Sequence, residues 1–171
     1  VMIPSVVSVC IPCHNAASYV GQTIESVLAQ SWQNIEIILV DDASTDGSLE
    51  LCAQYESATF RVLPAAFGSA SRSRNYALSQ AQGAFIKFLD ADDLLSPNAI
   101  EAQVRRLNNR FEAVATSAWG RFYGDDLSSF QLNPQSVWCD MNATDWLVEA
   151  WRDASPMMQP GMFLIPRTIL N

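Results

Sequence analysis

No run of about 18 apolar residues occurs in the chain, so nothing in it reads as a membrane-spanning helix. The opening stretch VMIPSVVSVCIP has neither the basic flank nor the small-residue cleavage site of a secretion signal, and the chain reads as soluble and cytoplasmic. Positive charge is scarce: ten Lys plus Arg stand against 18 Asp plus Glu, a net charge of −8. A field of that sign repels nucleic-acid phosphates and attracts cations, which disfavours a nucleic-acid partner. Glycine and proline are also few, 7 and 8 of 171 residues, and 49% of the chain is hydrophobic. That balance rules against disorder and predicts one compact domain. Four cysteines in a chain of this length, without an export signal, read as reduced thiols rather than a disulfide framework. Neither G-x-G-x-x-G nor G-x-x-x-x-G-K-[ST] is present, so the two commonest backbone cradles for nucleotide phosphates are missing. There is no internal repeat, low-complexity segment or linker.

What is present begins with Val9-Cys10-Ile11-Pro12-Cys13-His14-Asn15, whose Cys-x-x-Cys-His spacing is that of a c-type haem attachment site. The local pattern argues otherwise. Val6 to Ile11 is a β-rich apolar run closed by Pro12, which places Cys10 inside a buried strand, where cysteine commonly acts as a small hydrophobe. A thioredoxin-like pair would open a helix, whereas here the pair ends a strand.

The rest of the chain repeats strand then helix. Val20, Ile24, Val27 and Leu28 fall on one helical face, in a helix running to about Ser31. Ile35–Val40 is a continuous apolar run, as for a strand covered on both faces, and stops at Asp41-Asp42. Ser44-Thr45-Asp46 is read as capping a second helix with Leu49, Leu51 and Cys52. A strand over Phe60–Leu63 leads to a helix around Asn75–Gln82, and a strand over Ala84–Leu89 ends at Asp90-Ala91-Asp92-Asp93. Ser96 and Pro97 are read as the N-cap and first residue of the next helix. Further on, Ala113–Ser117 and Trp119–Tyr123 are expected to be extended. Thr144–Trp151 is expected to be a helix with Trp146, Leu147 and Trp151 on an apolar stripe. Four strand-plus-helix units predict an α/β fold, a mostly parallel twisted sheet with helices on both faces. Ligands bind such sheets beyond the carboxyl ends of the strands, where His14-Asn15, Asp41-Asp42 and Asp90 to Asp93 are gathered.

Carboxylates two apart at a strand end, Asp90 and Asp92, can hold a hard divalent ion that bridges to substrate phosphates. At an effective dielectric near 20, two unit charges ~4 Å apart attract by about 4 kcal/mol, enough to turn mutually repelling acids into a diphosphate site. An isolated Asp-x-Asp would be read as a solvated turn.

VSVCIPCHN, IEIILVDDASTDGS, GSASRSRNYAL, GAFIKFLDADD with Ser96-Pro97, and PGMFLIPR, in this order, resemble the family-two inverting glycosyltransferases of the GT-A fold, a Rossmann-like three-layer sandwich. The resemblance covers most of the chain. It implies residues 1–110 as the nucleotide-binding part and 111–171 as the start of the acceptor side of a single GT-A domain, one cut short at its C-terminus. Pro12, His14 and Asn15 would then line the nucleobase, with His14 where the family carries an aromatic ring. Asp41 matches the acceptor of a base N–H, while Asp42 and Asp46 hold the loop and cap the helix. Arg72 or Arg74 matches the basic position near base or diphosphate. Asp90 reaches the ribose and the metal, and Asp92 ligates Mg²⁺ or Mn²⁺.

The implied reaction is transfer of a sugar, with inversion, from a UDP-sugar to a hydroxyl of a saccharide or lipid-linked acceptor in polysaccharide biosynthesis. The same resemblance places the general base in an acidic pair downstream of a segment like PGMFLIPR, which puts it beyond Asn171 and predicts a chain that binds donor with little turnover. Asp125, Asp126, Asp140, Asp145, Glu149 and Asp153 lie within reach in sequence, but surface turns or helix faces explain each more simply. Trp119, Trp138, Trp146 and Trp151 are more simply core than sugar-stacking residues. The alternative is a noncatalytic nucleotide-sugar-binding or interaction module of the same fold. A nucleotidyltransferase is disfavoured by the missing Gly-rich, Lys-bearing loop.

Overall fold

The computed structural model describes residues 5–124, 126–132, 134–152 and 159–170. Within them the chain forms β1 (Val7–Cys13), α1 (Val20–Leu28), β2 (Ile35–Asp42), α2 (Ser48–Ala53), β3 (Phe60–Ala65), α3 (Ala70–Gln80), β4 (Phe85–Phe88) and α4 (Ala99–Leu107). These are followed by β5 (Ala115–Thr116), β6 (Gly120–Tyr123), β7 (Asp126–Leu132), α5 (Ala143–Trp151) and β8 (Phe163–Pro166). The main sheet has the order β3-β2-β1-β4-β8-β5. β3, β2, β1 and β4 are mutually parallel, β8 runs antiparallel to β4, and β5 antiparallel to β8. β6 and β7 form a separate hairpin. The expected α/β architecture is therefore present, with an antiparallel pair added at one edge.

The two faces of the sheet follow the strand period of two. Val7, Val9, Ile11 and Cys13 pack on the face covered by Val20, Ile24 and Val27 of α1, Cys52 of α2, and Ile100 and Leu107 of α4. Cys10, Ile38, Val40 and Ile86 pack on the other face, against Ala77 of α3. Cys10 and Cys13 are three apart on one strand and belong to opposite cores, so the Cys-x-x-Cys-His motif builds no common site.

Two polar clusters, the first partly buried and the second fully, tie the strands together. At the amino ends of the strands, the Glu36 carboxylate accepts from the Ser8 hydroxyl at 2.6 Å and from the backbone N–H groups of Gln82 at 2.5 Å and Gly83 at 2.9 Å. At the sheet's added edge, the fully buried Lys87 ammonium donates to Gln103 Oε1 at 2.9 Å and to the Gly161 carbonyl at 2.6 Å. Burial pushes the Lys87 pKa down to about 7. Gln103 Nε2 donates to the Met162 carbonyl at 2.8 Å, so α4 and β4 together hold the segment that enters β8.

Several boundaries differ from the sequence expectation. β2 and β3 each continue two residues further, to Asp42 and Ala65. α3 starts at Ala70, five residues early, because the Ser69 hydroxyl accepts from Arg72 N and caps it. α4 starts at Ala99, not Pro97: its N-cap is Asn98, and the Ile100 N–H is taken by Gln30 Oε1, a side chain distant in sequence. The N-cap of α2 is Gly47 at φ 90°, with Asp46 accepting from Ser48 N at 3.0 Å just ahead of it. Leu28 is 52% exposed and lies off the buried face of α1. On α5, Leu147 and Trp151 are exposed, and only Trp146 meets β8, edge-on to Phe163 at 5.8 Å between ring centroids.

Candidate functional site

The parallel strands bring their carboxyl ends to one edge, where a cleft of about 570 Å³ opens. Its walls are Pro12 and Cys13 at the end of β1, His14 to Ala16 and Tyr19 from the β1–α1 loop, Asp42, Gly68 to Ala70 with Ser73 and Arg74 at the start of α3, and Asp90 to Asp92 after β4. Of the residues expected to bind nucleotide or metal, Pro12, His14, Asn15, Arg74, Asp90 and Asp92 line it. Arg72 is exposed and outside the lining, which leaves Arg74 as the basic residue at the cleft. Asp41 does not line it either. That carboxylate is 2% exposed, accepts from Ser44 N at 3.1 Å through Oδ2, and leaves Oδ1 buried without a partner. Tyr19, Gly68, Ser69 and Ser73 were not singled out by the sequence, which placed the serines of GSASRSRN in a segment ahead of the helix expected around Asn75.

The β1–α1 loop is stitched to the segment after β2. Asn15 N donates to Ser44 Oγ at 3.0 Å, and Asn15 Oδ1 accepts from Thr45 N at 2.8 Å. Ala16 N donates to Ser48 Oγ at 2.9 Å and Ala17 N to Asp46 Oδ2 at 2.9 Å. The polar run Ser44 to Ser48 is thus what fixes the cleft's first wall. Asn15 and Ala43 sit at φ 50° and 56°. Asparagine tolerates the left-handed region, but alanine pays roughly 1–2 kcal/mol there. Because Ala43 is exposed and its methyl packs little, Ala43→Gly is expected to raise stability by about 0.5–1 kcal/mol after the extra unfolded-state entropy of glycine is subtracted. Thermal unfolding checks this, and a lower melting temperature would contradict it.

His14 Nδ1 lies 2.7 Å from the Asp42 carbonyl, and Nε2 lies 3.2 Å from Asn15 Nδ2. A carbonyl only accepts, so Nδ1 carries the hydrogen and Nε2 accepts from the asparagine amide. Both ring nitrogens are therefore occupied by the protein. What the exposed imidazole has left for a ligand is its face.

Asp42 faces the α3 side and organises the opposite wall. Its Oδ1 accepts from Phe67 N at 2.5 Å and Gly68 N at 3.1 Å, and its Oδ2 from Ser69 N at 2.8 Å and Ser73 Oγ at 3.3 Å. Burial pushes its pKa up, but the hydrogen bonds from Ser69, Gly68, Phe67 and Ser73 outweigh this and hold it below the usual carboxylate range. The geometry matches the loop-holding role expected of Asp42, and Asp46 likewise holds a loop and the start of α2.

On the third wall Arg74 Nη2 bonds Asp90 Oδ1 at 2.5 Å, while Arg74 Nε is buried without a partner. Thr23 Oγ1 donates to the Ala91 carbonyl at 2.9 Å and fixes the turn between the two aspartates. Asp92 is exposed, and Asp93 is pushed up to about 6, first by burial and then by the charges of Asp90 and Asp92. This is a site with surplus negative charge. Among the described residues no three His, Cys, Asp or Glu side chains form a closed metal cage. Two carboxylates facing a cleft nevertheless suit a cation whose remaining ligands are water and substrate phosphate.

The other acids are occupied elsewhere. Asp126 accepts from Ser128 N, Asp140 pairs with Arg106, Asp145 with Asn142, and Glu149 with Arg152, and none of the four lines the cleft. Asp125 and Asp153 lie outside the described residues. Trp119 carries the Arg121 guanidinium over its ring at 5.9 Å, and no tryptophan lines the cleft. Among the described residues no helix is long and apolar enough to cross a membrane.

The fold is similar to that of S. aureus TarS crystallised with UDP, with a TM-score of 0.75, 22% identity, and coverage of 96% of this chain and 47% of that one. TarS crystallised with UDP-GlcNAc matches equally well, at a TM-score of 0.75. At that identity the likeness concerns the fold, which is the GT-A type. In sequence the chain is 31% identical to glycosyltransferase GlyG of Streptococcus pneumoniae serotype 4, over 96% of this chain and 58% of that protein. It is 35% identical to the putative teichuronic acid biosynthesis glycosyltransferase TuaG of Bacillus subtilis, over 78% and 55%. The chain thus spans little more than half the length of these relatives. Residues 8–170 match the family described as Glycosyl transferase family 2. By that match over nearly its whole length, this chain belongs to glycosyltransferase family 2.

Proposed function

We propose that the cleft binds the nucleotide diphosphate of a UDP-sugar, and that the protein transfers the sugar with inversion to a hydroxyl of a saccharide or lipid-linked acceptor in polysaccharide biosynthesis. The observation that carries this reading is the convergence on one cleft of an edge-locked ring, a guanidinium paired with the Asp90 carboxylate, and the exposed carboxylate of Asp92. The presence of UDP and UDP-GlcNAc in TarS supports the nucleotide. In this assignment Pro12, His14 and Asn15 line the base, the imidazole through its face. Arg74, with its unpartnered Nε, donates to ribose or diphosphate oxygen. Asp90 shares that task and, with Asp92, holds Mg²⁺ or Mn²⁺, which would supply charge neutralisation of the departing diphosphate. Asp41 acts from beneath, through Ser44, on the loop that carries His14 and Asn15. Residues 1–110 constitute the donor side and 111–171 begin the acceptor side. None of the acids that already hold a surface partner is assigned the role of the base that takes the acceptor proton.

Titration calorimetry with UDP in Mn²⁺ or in chelator tests the assignment. UDP is expected to bind at least tenfold more tightly with metal, about 1.4 kcal/mol, and Asp92→Ala is expected to erase the difference. Equal affinity with and without metal in the unsubstituted protein removes the metal role. Absence of UDP binding in both conditions removes the donor site itself.

A further inference from the structure

Thr23 and Ser26 on α1 and Gln30 just past its end are spaced three and four apart and share one face. That face meets the chain that returns from β4 to α4. Thr23 Oγ1 donates to the Ala91 carbonyl at 2.9 Å, and Ser26 Oγ accepts from Leu95 N at 3.2 Å. Gln30 Nε2 donates to the Ser96 carbonyl at 2.7 Å, while its Oε1 accepts from Ile100 N at 3.1 Å. Thr23 is fully buried and does not line the cleft, so its hydroxyl acts through the Ala91 backbone alone.

That contact falls on the one peptide of the segment that could turn over. Asp93 N donates to the Asp90 carbonyl at 3.1 Å, which makes Asp90–Asp93 a β-turn with Ala91 and Asp92 as its central residues. None of the four has a positive φ, which excludes a type II turn. Types I and II differ by a flip of the central peptide, and the carbonyl of that peptide is the Ala91 oxygen that Thr23 holds. A flip would carry Asp92 to positive φ, a region that aspartate enters at less cost than most residues, and would redirect its carboxylate. Asp90 has a direct brace in Arg74 Nη2 at 2.5 Å.

We infer that Thr23 is a positioning residue for the Asp90 and Asp92 pair: its hydroxyl locks the Ala91–Asp92 peptide against flipping, keeps both carboxylates turned to the cleft, and so sets how strongly the site takes a divalent cation. The inference rests on the metal role proposed above for these two aspartates. Thr23→Val keeps the shape of the side chain and removes only the donor. Gln30→Met removes bonds of the same kind from the same face, at the α4 end of the loop and away from the turn.

UDP affinity in Mn²⁺ and in chelator, measured by titration calorimetry beside thermal melting, tests the role. In Thr23→Val the gain from metal is expected to fall from at least tenfold to about threefold or less, the scale on which one neutral hydrogen bond acts. UDP affinity in chelator is expected to stay within about twofold, and Thr23→Ser, which keeps the hydroxyl, to retain the full gain. Gln30→Met is expected to melt earlier yet keep the gain, as a general loosening of the loop would not allow. A full metal gain in Thr23→Val, an equal loss with metal and with chelator, or the same loss of gain in Gln30→Met overturns the proposal. Thr23→Ala is the second variant, expected to behave as Thr23→Val; failure of both to fold assigns the residue to the core and overturns its role at the site. If the unsubstituted protein binds UDP without any gain from metal, the metal reading fails and this inference falls with it, whereas a gain that survives Thr23→Val removes this inference alone.

Discussion

Asp42→Ala is expected to lower the melting temperature by roughly 6–12 °C and to weaken UDP binding more than tenfold. Hydrogen bonds to a charged group contribute about 1.5–3 kcal/mol each when removal leaves the partner unsatisfied. Asp42 receives four, from Phe67 N, Gly68 N, Ser69 N and Ser73 Oγ. Phe67 and Gly68 are exposed, so their N–H groups regain water in the variant, and the net cost falls well below the sum, at roughly 3 kcal/mol. For a chain of this size each kcal/mol moves the midpoint by about 2–4 °C. Binding suffers with stability because Gly68, Ser69 and Ser73 are cleft wall and lose their common anchor. Asp42→Asn, which keeps one acceptor oxygen and sets an amide against the remaining donors, is expected to fall between the two. The depressed pKa fixes the pH dependence. A carboxylate whose folded pKa lies below its unfolded value stabilises the protein above the unfolded value, near 4. That contribution is lost as pH falls from there toward the folded value, so the unsubstituted protein and Asp42→Ala are expected to converge in stability only at strongly acidic pH. Thermal scans across pH with UDP calorimetry measure all of this. Unchanged stability at neutral pH would show that the loop does not depend on this carboxylate.

Gly83→Ala is expected to cost roughly 3 kcal/mol in stability while leaving nucleotide affinity within about twofold. A Cβ at position 83 would stand 2.5 Å from Ser8 Oγ and 2.8 Å from both Ser8 N and the Val6 carbonyl. Two of those three atoms are backbone and cannot rotate away. Nor can residue 83 retreat, because its N–H is held by Ser8 Oγ at 2.8 Å and by Glu36, and Phe85 N donates to the Val6 carbonyl. The overlap therefore has to open the β1–β4 pairing. The site lies at the amino ends of the strands and shares no partner with Asp42, so the two stability losses are expected to add in the double variant. Binding separates them: Asp42→Ala loses stability and affinity together, Gly83→Ala stability alone. A Gly83→Ala protein with normal melting would mean that the strands give way more easily than the packing indicates.

Much of this protein could be read along the chain. The continuous apolar run at Ile35–Val40, the apolar stretch before Pro12 and the run ending at Leu89 specified buried parallel strands, because a strand covered on both faces has no reason to alternate. Once the strands are parallel, their carboxyl ends share an edge, and His14-Asn15 and Asp90 to Asp92 meet there whatever the details of packing. The family resemblance was legible in the same segments, and it implied the loop-holding roles of Asp42 and Asp46 that the hydrogen bonds display.

Other features depended on partners distant in sequence. α4 begins where Gln30, some 70 residues earlier, supplies its cap, a signal stronger than the local Ser96-Pro97. Arg72 and Arg74 are equivalent in composition, and only the helical phase set by the Ser69 cap sends one to Asp90 and the other to solvent. Asp41 and Asp42 are adjacent and alike, yet successive residues on a strand point to opposite faces, so one is buried beneath the first loop and the other braces the cleft. The same alternation separates Cys10 from Cys13 and puts Cys13 in the core that also holds Cys52, 39 positions away along the chain. Apolar patterning by itself determined which segments are strands and which edge carries the site. Which side chain of each pair reaches that site was decided by pleat, helical phase and long-range caps, which exist only once the chain has closed on itself.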